Sequence, residues 1–375
     1  MEHKPRLLID CSFVEPIAEG SESHFIHAGR LIKAFSLSRR FDILVLVAKG
    51  SEHYIQQLVG VPMTMLSVDA HAKVFLSPKL DRLFGLVPHK RLLQQQHVDI
   101  VLSPYANPFI FVYPRKYRQH AVVHDVIPDH RGPLSSYSLM NRFMVMRLHR
   151  LISISDGTRM ALRRFCLRNS EVVHNCVPWQ AGGEECPVNT ISGHPFILDI
   201  NRLEPYKNPE TLIRAFSLIA DKIPHQLYLK GLSTNAAFLD YLRNFIEERG
   251  LSDRIIIDTT DRSEAELRWL YSHASLFVSP SLIEGFGYTP IEAAISGTPV
   301  LVSDIPVLNE VTMGWIPTFN PHSDTELAHL MENTLNNPPA KEKLQQVANF
   351  FSQKYSNERY VEQMENILLK ALNRA

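Results

Sequence analysis

No apolar run in these 375 residues approaches the ~20 residues that a membrane-spanning helix requires. The opening Met1-Glu2-His3-Lys4-Pro5 also lacks the apolar core of a secretion signal. A soluble or membrane-peripheral protein of the cytoplasm is therefore expected. Cysteine is scarce: Cys11, Cys166, Cys176 and Cys186 lie far apart or outside any zinc spacing. That excludes a disulfide framework and predicts reduced thiols. There is no internal repeat and no low-complexity tract. Net charge is missing too, with 39 Lys+Arg against 39 Asp+Glu, but the balance hides an asymmetry. Residues 1–185 hold 23 basic against 16 acidic side chains, a net of +7, and the remainder carries −7. The basic half suits an anionic membrane surface, or is an excess of solvated arginines. No nucleic-acid partner is expected.

What remains is ordinary globular material, 45% hydrophobic and 21% charged, long enough to bury two cores. Buried strands are expected at residues 6–10, 41–47, 98–102, 119–124 and 151–155, with a helix from about His24 to Leu37. Strands separated by helical stretches predict a parallel, doubly wound α/β sheet, with ligands beyond the carboxyl ends of its strands. Residues 180–193, rich in glycine and poor in long apolar groups, read as an interdomain linker. A second set of strands follows at 195–200, 226–230, 254–258 and 275–278. His120, His124, Asp125, Asp129 and His130 have the composition of a metal cluster. Ala121-Val122-Val123 reads as strand and Pro128 breaks any helix, so no metal site is expected there. Asn141–Arg150 reads as a basic helix that, with Arg163, Arg164 and Arg168, suits lipid head groups or is simply core.

The most informative stretch is Ser279–Asp304, SPSLIEGFGYTPIEAAISGTPVLVSD. It reads as strand end, glycine loop, helix, turn and strand. Gly285 and Gly287 loosen the backbone, Thr289 has the chemistry of an N-cap, and Glu292 three residues later completes a capping-box pattern around Pro290. A loop ending at a helix N-terminus gathers free N–H groups and suits phosphate.

Glu284-Gly285-Phe286-Gly287 with Glu292 eight residues after Glu284 resembles the signature of retaining glycosyltransferases of family 4. Further runs agree: Asn201-Arg202-Leu203 with Lys207-Asn208 at a strand end, and His124-Asp125 followed by Pro128. The resemblance implies a GT-B fold of two facing doubly wound domains, residues 1–180 and 194–355. Residues 356–375 would form a helix returning to the first domain. It implies a nucleotide-sugar donor in the cleft and no further cofactor. Arg202 and Lys207 would meet the donor diphosphate. Gly285, Phe286, Gly287, Tyr288 and Thr289 would line the donor, Glu284 the donor sugar, and Glu292 the ribose. His124 would help position the sugar, against the alternative of a histidine held structurally within a turn. Gly20-Ser21 stands where the family usually has Gly-Gly. The chain has no D-x-D triplet, so no metal is expected.

The resulting expectation is a retaining hexosyltransferase in cell-surface polysaccharide synthesis. It would move mannose from GDP-mannose to a saccharide or lipid-linked saccharide. The alternatives are another GT-B enzyme, such as a nucleotide-sugar epimerase or phosphorylase, or a non-catalytic partner subunit. Donor turnover separates them.

Overall fold

The computed structural model describes residues 4–12, 22–68, 90–106, 113, 115–124, 142, 145–191 and 193–373. The chain divides into two compact units, Met1–Cys176 with Tyr355–Ala375, and Val177–Lys354.

The first unit is built on a seven-stranded parallel sheet. Its strands are β1 (Arg6–Cys11), β2 (Asp42–Ala48), β3 (Met65–Val68), β4 (Ile100–Ser103), β5 (His120–Val123), β6 (Arg150–Ser153) and β7 (Glu171–Val172), in the order β3-β2-β1-β4-β5-β6-β7. Leu7, Leu8 and Ile9 are fully buried because β1 sits centrally, between β2 and β4. Such strands read as unbroken apolar runs, since helices cover both faces of the sheet. Four helices are described between the strands: α1 (Glu22–Phe35), α2 (Glu52–Val59), α3 (Lys90–Gln95) and α4 (Asp156–Cys166). β3 escapes the sequence reading, because its short Met-Leu-Ser-Val run lies half-buried at the sheet edge.

The second unit carries a six-stranded parallel sheet: β8 (Phe196–Ile200), β9 (Gln226–Lys230), β10 (Ile255–Asp258), β11 (Leu276–Ser279), β12 (Val300–Ser303) and β13 (Thr318–Phe319), ordered β10-β9-β8-β11-β12-β13. The chain winds from β8 out to β10, then returns to the other side of β8 with β11. The switch point, where such sheets take ligands, therefore falls between β8 and β11. Its helices begin with α5 (Pro209–Ser217), α6 (Ala236–Glu247), α7 (Glu264–His273), α8 (Tyr288–Ile295) and α9 (Pro306–Thr312). α10 (Asp324–Asn336) and α11 (Lys341–Lys354) follow. Leu212, Phe216, Leu242, Leu327 and Met331 of α5, α6 and α10 close one face over Ile197, Leu227, Leu229 and Val278. The opposite face takes α7 and α8, which contact β8, β11 and β12.

The last helix, α12 (Asn357–Leu372), belongs to the first unit and packs on α1. Ser38 donates to its buried Glu365 at 2.6 Å, and Arg118 donates to the carbonyls of Ala371 and Leu372, which a helix end leaves open. Residues 180–191 do not form a free linker. The second unit takes them up: Val188 and Ile191 are buried, Arg268 donates to the Gln180 carbonyl at 2.6 Å, and neighbouring Trp179 donates to Ser296 at 2.8 Å. The basic helix expected to run to Arg150 stops short, because Arg150 starts β6; Asn141, Phe143 and Met144 lie outside the described residues. All four cysteines are free thiols, and among the described residues no helix is long and apolar enough to cross a membrane.

Candidate functional site

The site of the second unit is assembled where the loops after β8 and β11 are tied together. Pro205 opens a single 3-10 turn, Pro205–Lys207, which ends at Asn208 in the left-handed region with φ 57°. Asparagine tolerates that backbone better than most residues. The Asn208 side-chain amide donates to the carbonyls of Pro280 at 3.1 Å and Pro321 at 2.8 Å, and its Oδ1 accepts from Thr211 at 2.9 Å. The Leu282 amide donates to the Tyr206 carbonyl at 2.9 Å. These bonds bring Lys207 and Glu284, 77 positions apart, into a 2.5 Å ion pair at 13% and 10% side-chain exposure. Ser281 donates to the same Glu284 oxygen at 2.8 Å. Lys207 is thus a partnered cation, whereas Arg202 is exposed and holds no side-chain partner among the described residues.

Gly231 explains how the loops after β8 and β9 pass so closely. A Cβ there would stand 1.6 Å from the Asn201 carbonyl oxygen, so only glycine fits. Asn201, in the position where the family pattern has glycine, donates to Asp199 at 2.5 Å. Asp199 is a site residue that the sequence reading missed. Burial pushes its carboxyl up to about 7, and Glu284 adds to this, against the Asn201 bond and the Lys207 charge. The one signal for it was an acidic residue inside the apolar strand Phe196–Ile200.

α8 starts differently from the expected capping box. Gly287, at φ 91°, is the N-cap residue, and Tyr288 and Thr289 are the first two helical residues, with no side-chain cap. A side chain at Gly287 would also meet Leu308 at 2.7 Å. Glu292 is therefore no cap. It is 6% exposed and accepts a hydrogen bond from the buried Tyr271 hydroxyl of α7 at 3.0 Å. Gly285 precedes this turn, and Phe286 is buried with its ring 5.0 Å from that of Tyr288. The N-terminus of α8 and the exposed guanidinium of Arg202 both belong to this unit, and groups of these two kinds favour negative charge.

A second polar network stands at the carboxyl end of β10. Asp258 accepts from Thr260 N at 2.9 Å and Oγ1 at 2.6 Å, from Tyr228 at 2.5 Å and from Arg262 Nε at 2.8 Å. Burial alone would raise its carboxyl, but those bonds hold it down to about 2. Arg262 then donates to Glu266 at 2.7 Å, and Glu266 accepts from the amide and hydroxyl of Ser263, closing a capping box on α7.

In the first unit His124 leaves β5. Its Nε2 lies 3.0 Å from the Pro104 carbonyl, and its ring stacks on Tyr105 at 4.2 Å with His27 at 4.8 Å. His120 sits at the opposite end of the strand, with Nδ1 2.7 Å from the Arg118 carbonyl and Nε2 buried without a partner. Burial drives its pKa down to about 3. The two histidines thus do not converge, and among the described residues no group of three potential ligands is placed for a metal. Gly20, Ser21, Asp125, Asp129 and His130 lie outside the described residues. Arg168 does not face outward as a lipid contact: it clamps the carbonyls of Val145, Leu148 and His149.

Residues 186–349 match the family described as Glycosyl transferases group 1. The chain is 37% identical over 142 residues to the serotype-specific mannosyltransferase WbdA of Escherichia coli, a match covering 37% of this chain and 17% of that protein. It is 27% identical over 229 residues to the O-antigen chain mannosyltransferase RfbU of Salmonella typhimurium, covering 59% of this chain and 62% of that one. The chain therefore matches only about a sixth of the length of the first of these relatives. HepE of Anabaena, solved in complex with UDP, superposes with a TM-score of 0.68 at 17% identity, over 98% of this chain and 100% of that one. A glycosyltransferase of Rickettsia africae gives 0.71 at 15% identity over 99% and 100%. These two likenesses bear on fold alone. With two parallel-sheet units of this topology the chain has the GT-B fold, and its residues 186–349 match the glycosyl transferases group 1 family.

Proposed function

We propose that this chain is a retaining glycosyltransferase that moves a hexose from a nucleotide-sugar, GDP-mannose first, to a saccharide or lipid-linked saccharide in cell-surface polysaccharide synthesis. The observation that carries the reading is the paired Lys207–Glu284 between tied loops, in the unit that also carries exposed Arg202 after β8 and the first turn of α8. Mannose is favoured by the relatives WbdA and RfbU, both named as mannosyltransferases.

In this reaction the bond from the anomeric carbon to the donor phosphate oxygen breaks and a bond to an acceptor hydroxyl oxygen forms. The acceptor proton goes to the leaving phosphate. Negative charge grows on the diphosphate, and prepaid positive groups lower the barrier most. Arg202 and the N–H groups opening α8 supply them, with no divalent ion. Lys207 serves in two ways, holding Glu284 in place for the donor sugar and adding its charge to the diphosphate. Glu292, held by Tyr271, accepts from the ribose hydroxyls.

The acceptor side is proposed to work at the cytoplasmic membrane face. α4 exposes Arg159, Met160, Arg163 and Arg164, and Leu167 follows at 80% exposure. Cations mixed with apolar tips suit anionic lipid better than a polar surface does. Purified protein should release GDP from GDP-mannose when given a lipid-linked saccharide fraction, and should keep doing so in excess EDTA. Loss of activity restored by magnesium or manganese would overturn the metal-free reading. Sugar consumption without any acceptor would favour an epimerase or hydrolase.

A further inference from the structure

Lys230 closes β9 with only 6% of its surface exposed; its carbonyl accepts from the Asn201 amide at 3.0 Å, but its ammonium has no hydrogen-bond or ion-pair partner among the described residues. The register Ile200↔Lys230↔Asp258 places it in the last rung shared by β8, β9 and β10. Alternate residues of a strand share a face, so Lys230 lies on the side of Tyr228, and parallel pairing puts Asp258 there as well. Two of the three carboxylates that act on it are already used, and the third, Asp261, is exposed in the loop after β10. Asp258 takes four hydrogen bonds from Thr260, Tyr228 and Arg262, and Glu266 is filled by Arg262 and Ser263. Burial lowers the pKa of Lys230, while the carboxylates of Asp258, Asp261 and Glu266 pull the other way and Arg262 reinforces the burial. A desolvated ammonium without a close partner is destabilising wherever it serves no ligand. A valine or leucine would close this strand at no such cost.

The position of the surplus cation is informative. It stands at the carboxyl edge of the sheet, the edge that takes ligands and that also carries Arg202 after β8. The face it shares with Asp258 and Arg262 is the face of α7, and α7 reaches Glu292 through Tyr271. A donor with its diphosphate at Arg202 and its ribose at Glu292 extends its base along this face. We propose that Lys230 donates to a carbonyl oxygen of the donor's base, and so selects a guanine- or uracil-type base over adenine. This assignment rests on the nucleotide-sugar reading above.

The test is calorimetric titration of the full chain and its Lys230→Met variant with GDP, UDP, ADP and inorganic pyrophosphate, with melting temperatures measured in parallel. The wild type should bind GDP or UDP more tightly than ADP. The Met variant should lose roughly 10- to 100-fold for the carbonyl-bearing nucleotide, the scale of a charged hydrogen bond. It should hold ADP and pyrophosphate within about twofold and melt at the same or a higher temperature, since a buried unpaired charge has gone. Lys230→Gln, which keeps a donor without charge, should lose less. Equal weakening toward all four ligands would place Lys230 on the diphosphate and overturn the base assignment. Unchanged affinities with a lowered melting temperature would make the lysine structural and overturn it too. A wild type that binds none of the four would sink the donor site itself, not this residue alone.

Discussion

Replacing Glu292 with glutamine separates its two readings, because the structure removes the capping role that its spacing suggested. The helix start is set by Gly287, so the substitution leaves the first turn of α8 untouched. The buried contact survives as well, since a glutamine Oε1 still accepts from the Tyr271 hydroxyl now 3.0 Å from the carboxylate. What disappears is the charge. A hydrogen bond to a charged group is worth about 1.5–3 kcal/mol against about 1 for a neutral pair, so the loss is about 0.5–2 kcal/mol. Affinity for GDP-mannose should fall by about 2- to 30-fold, read by titration calorimetry. Melting temperature should move little, because no buried group loses its partner. Glu292→Ala should lose donor binding and stability together, since it strands the Tyr271 hydroxyl. A glutamine variant that melts early yet binds donor like the wild type would refute the reasoning and make Glu292 purely structural.

Arg202→Ala and Lys207→Ala should each lower turnover by roughly 100-fold or more, the scale of removing a charge-stabilising donor. Only Lys207→Ala should also lower the melting temperature, because it leaves the 10%-exposed Glu284 without its cation; equal melting of the two variants would deny the pair a structural role. His120 gives a pH signature: its folded pKa near 3 lies below the usual 6.5, so its neutral form stabilises the first unit above pH 6.5, and that stability is lost as pH falls toward 3. The slope should reach about 1.4 kcal/mol per pH unit and vanish in a well-packed His120→Gln variant; an unchanged slope there would assign it to other groups. Arg163→Glu with Arg164→Glu should abolish binding to anionic vesicles and leave GDP binding intact, whereas unchanged vesicle binding would move the lipid contact away from α4.

The sheets were largely legible because a parallel strand covered on both faces is mostly apolar, and Leu7–Ile9, Phe196–Leu198 and Leu227–Leu229 advertise that. β3 was not, because an edge strand buries one side only and its four residues alternate weakly. The start of α8 was misread for a physical reason. Thr289 and Glu292 have capping chemistry and spacing, but a glycine at φ 91° pressed against Leu308 turns the chain two residues earlier, and no local pattern records that contact. The Lys207–Glu284 pair depends on Asn208 bridging two distant loops, which a one-dimensional reading cannot see. The Asp258–Arg262–Glu266 chain was recoverable, since its charges recur every four residues at a helix start. Lys230 stood in plain sight at a strand end, but only burial distinguishes it from a solvated lysine.

The central claim, a donor nucleotide-sugar opened with retention by this chain, is tested most directly by proton NMR of purified protein with GDP-mannose and a lipid-linked saccharide fraction. The account predicts GDP release together with a new mannosyl signal of the same α configuration as the donor, and almost none of either from Arg202→Ala. A β-linked product, or nucleotide-sugar levels identical with and without protein across GDP-, UDP- and ADP-sugars, would contradict it.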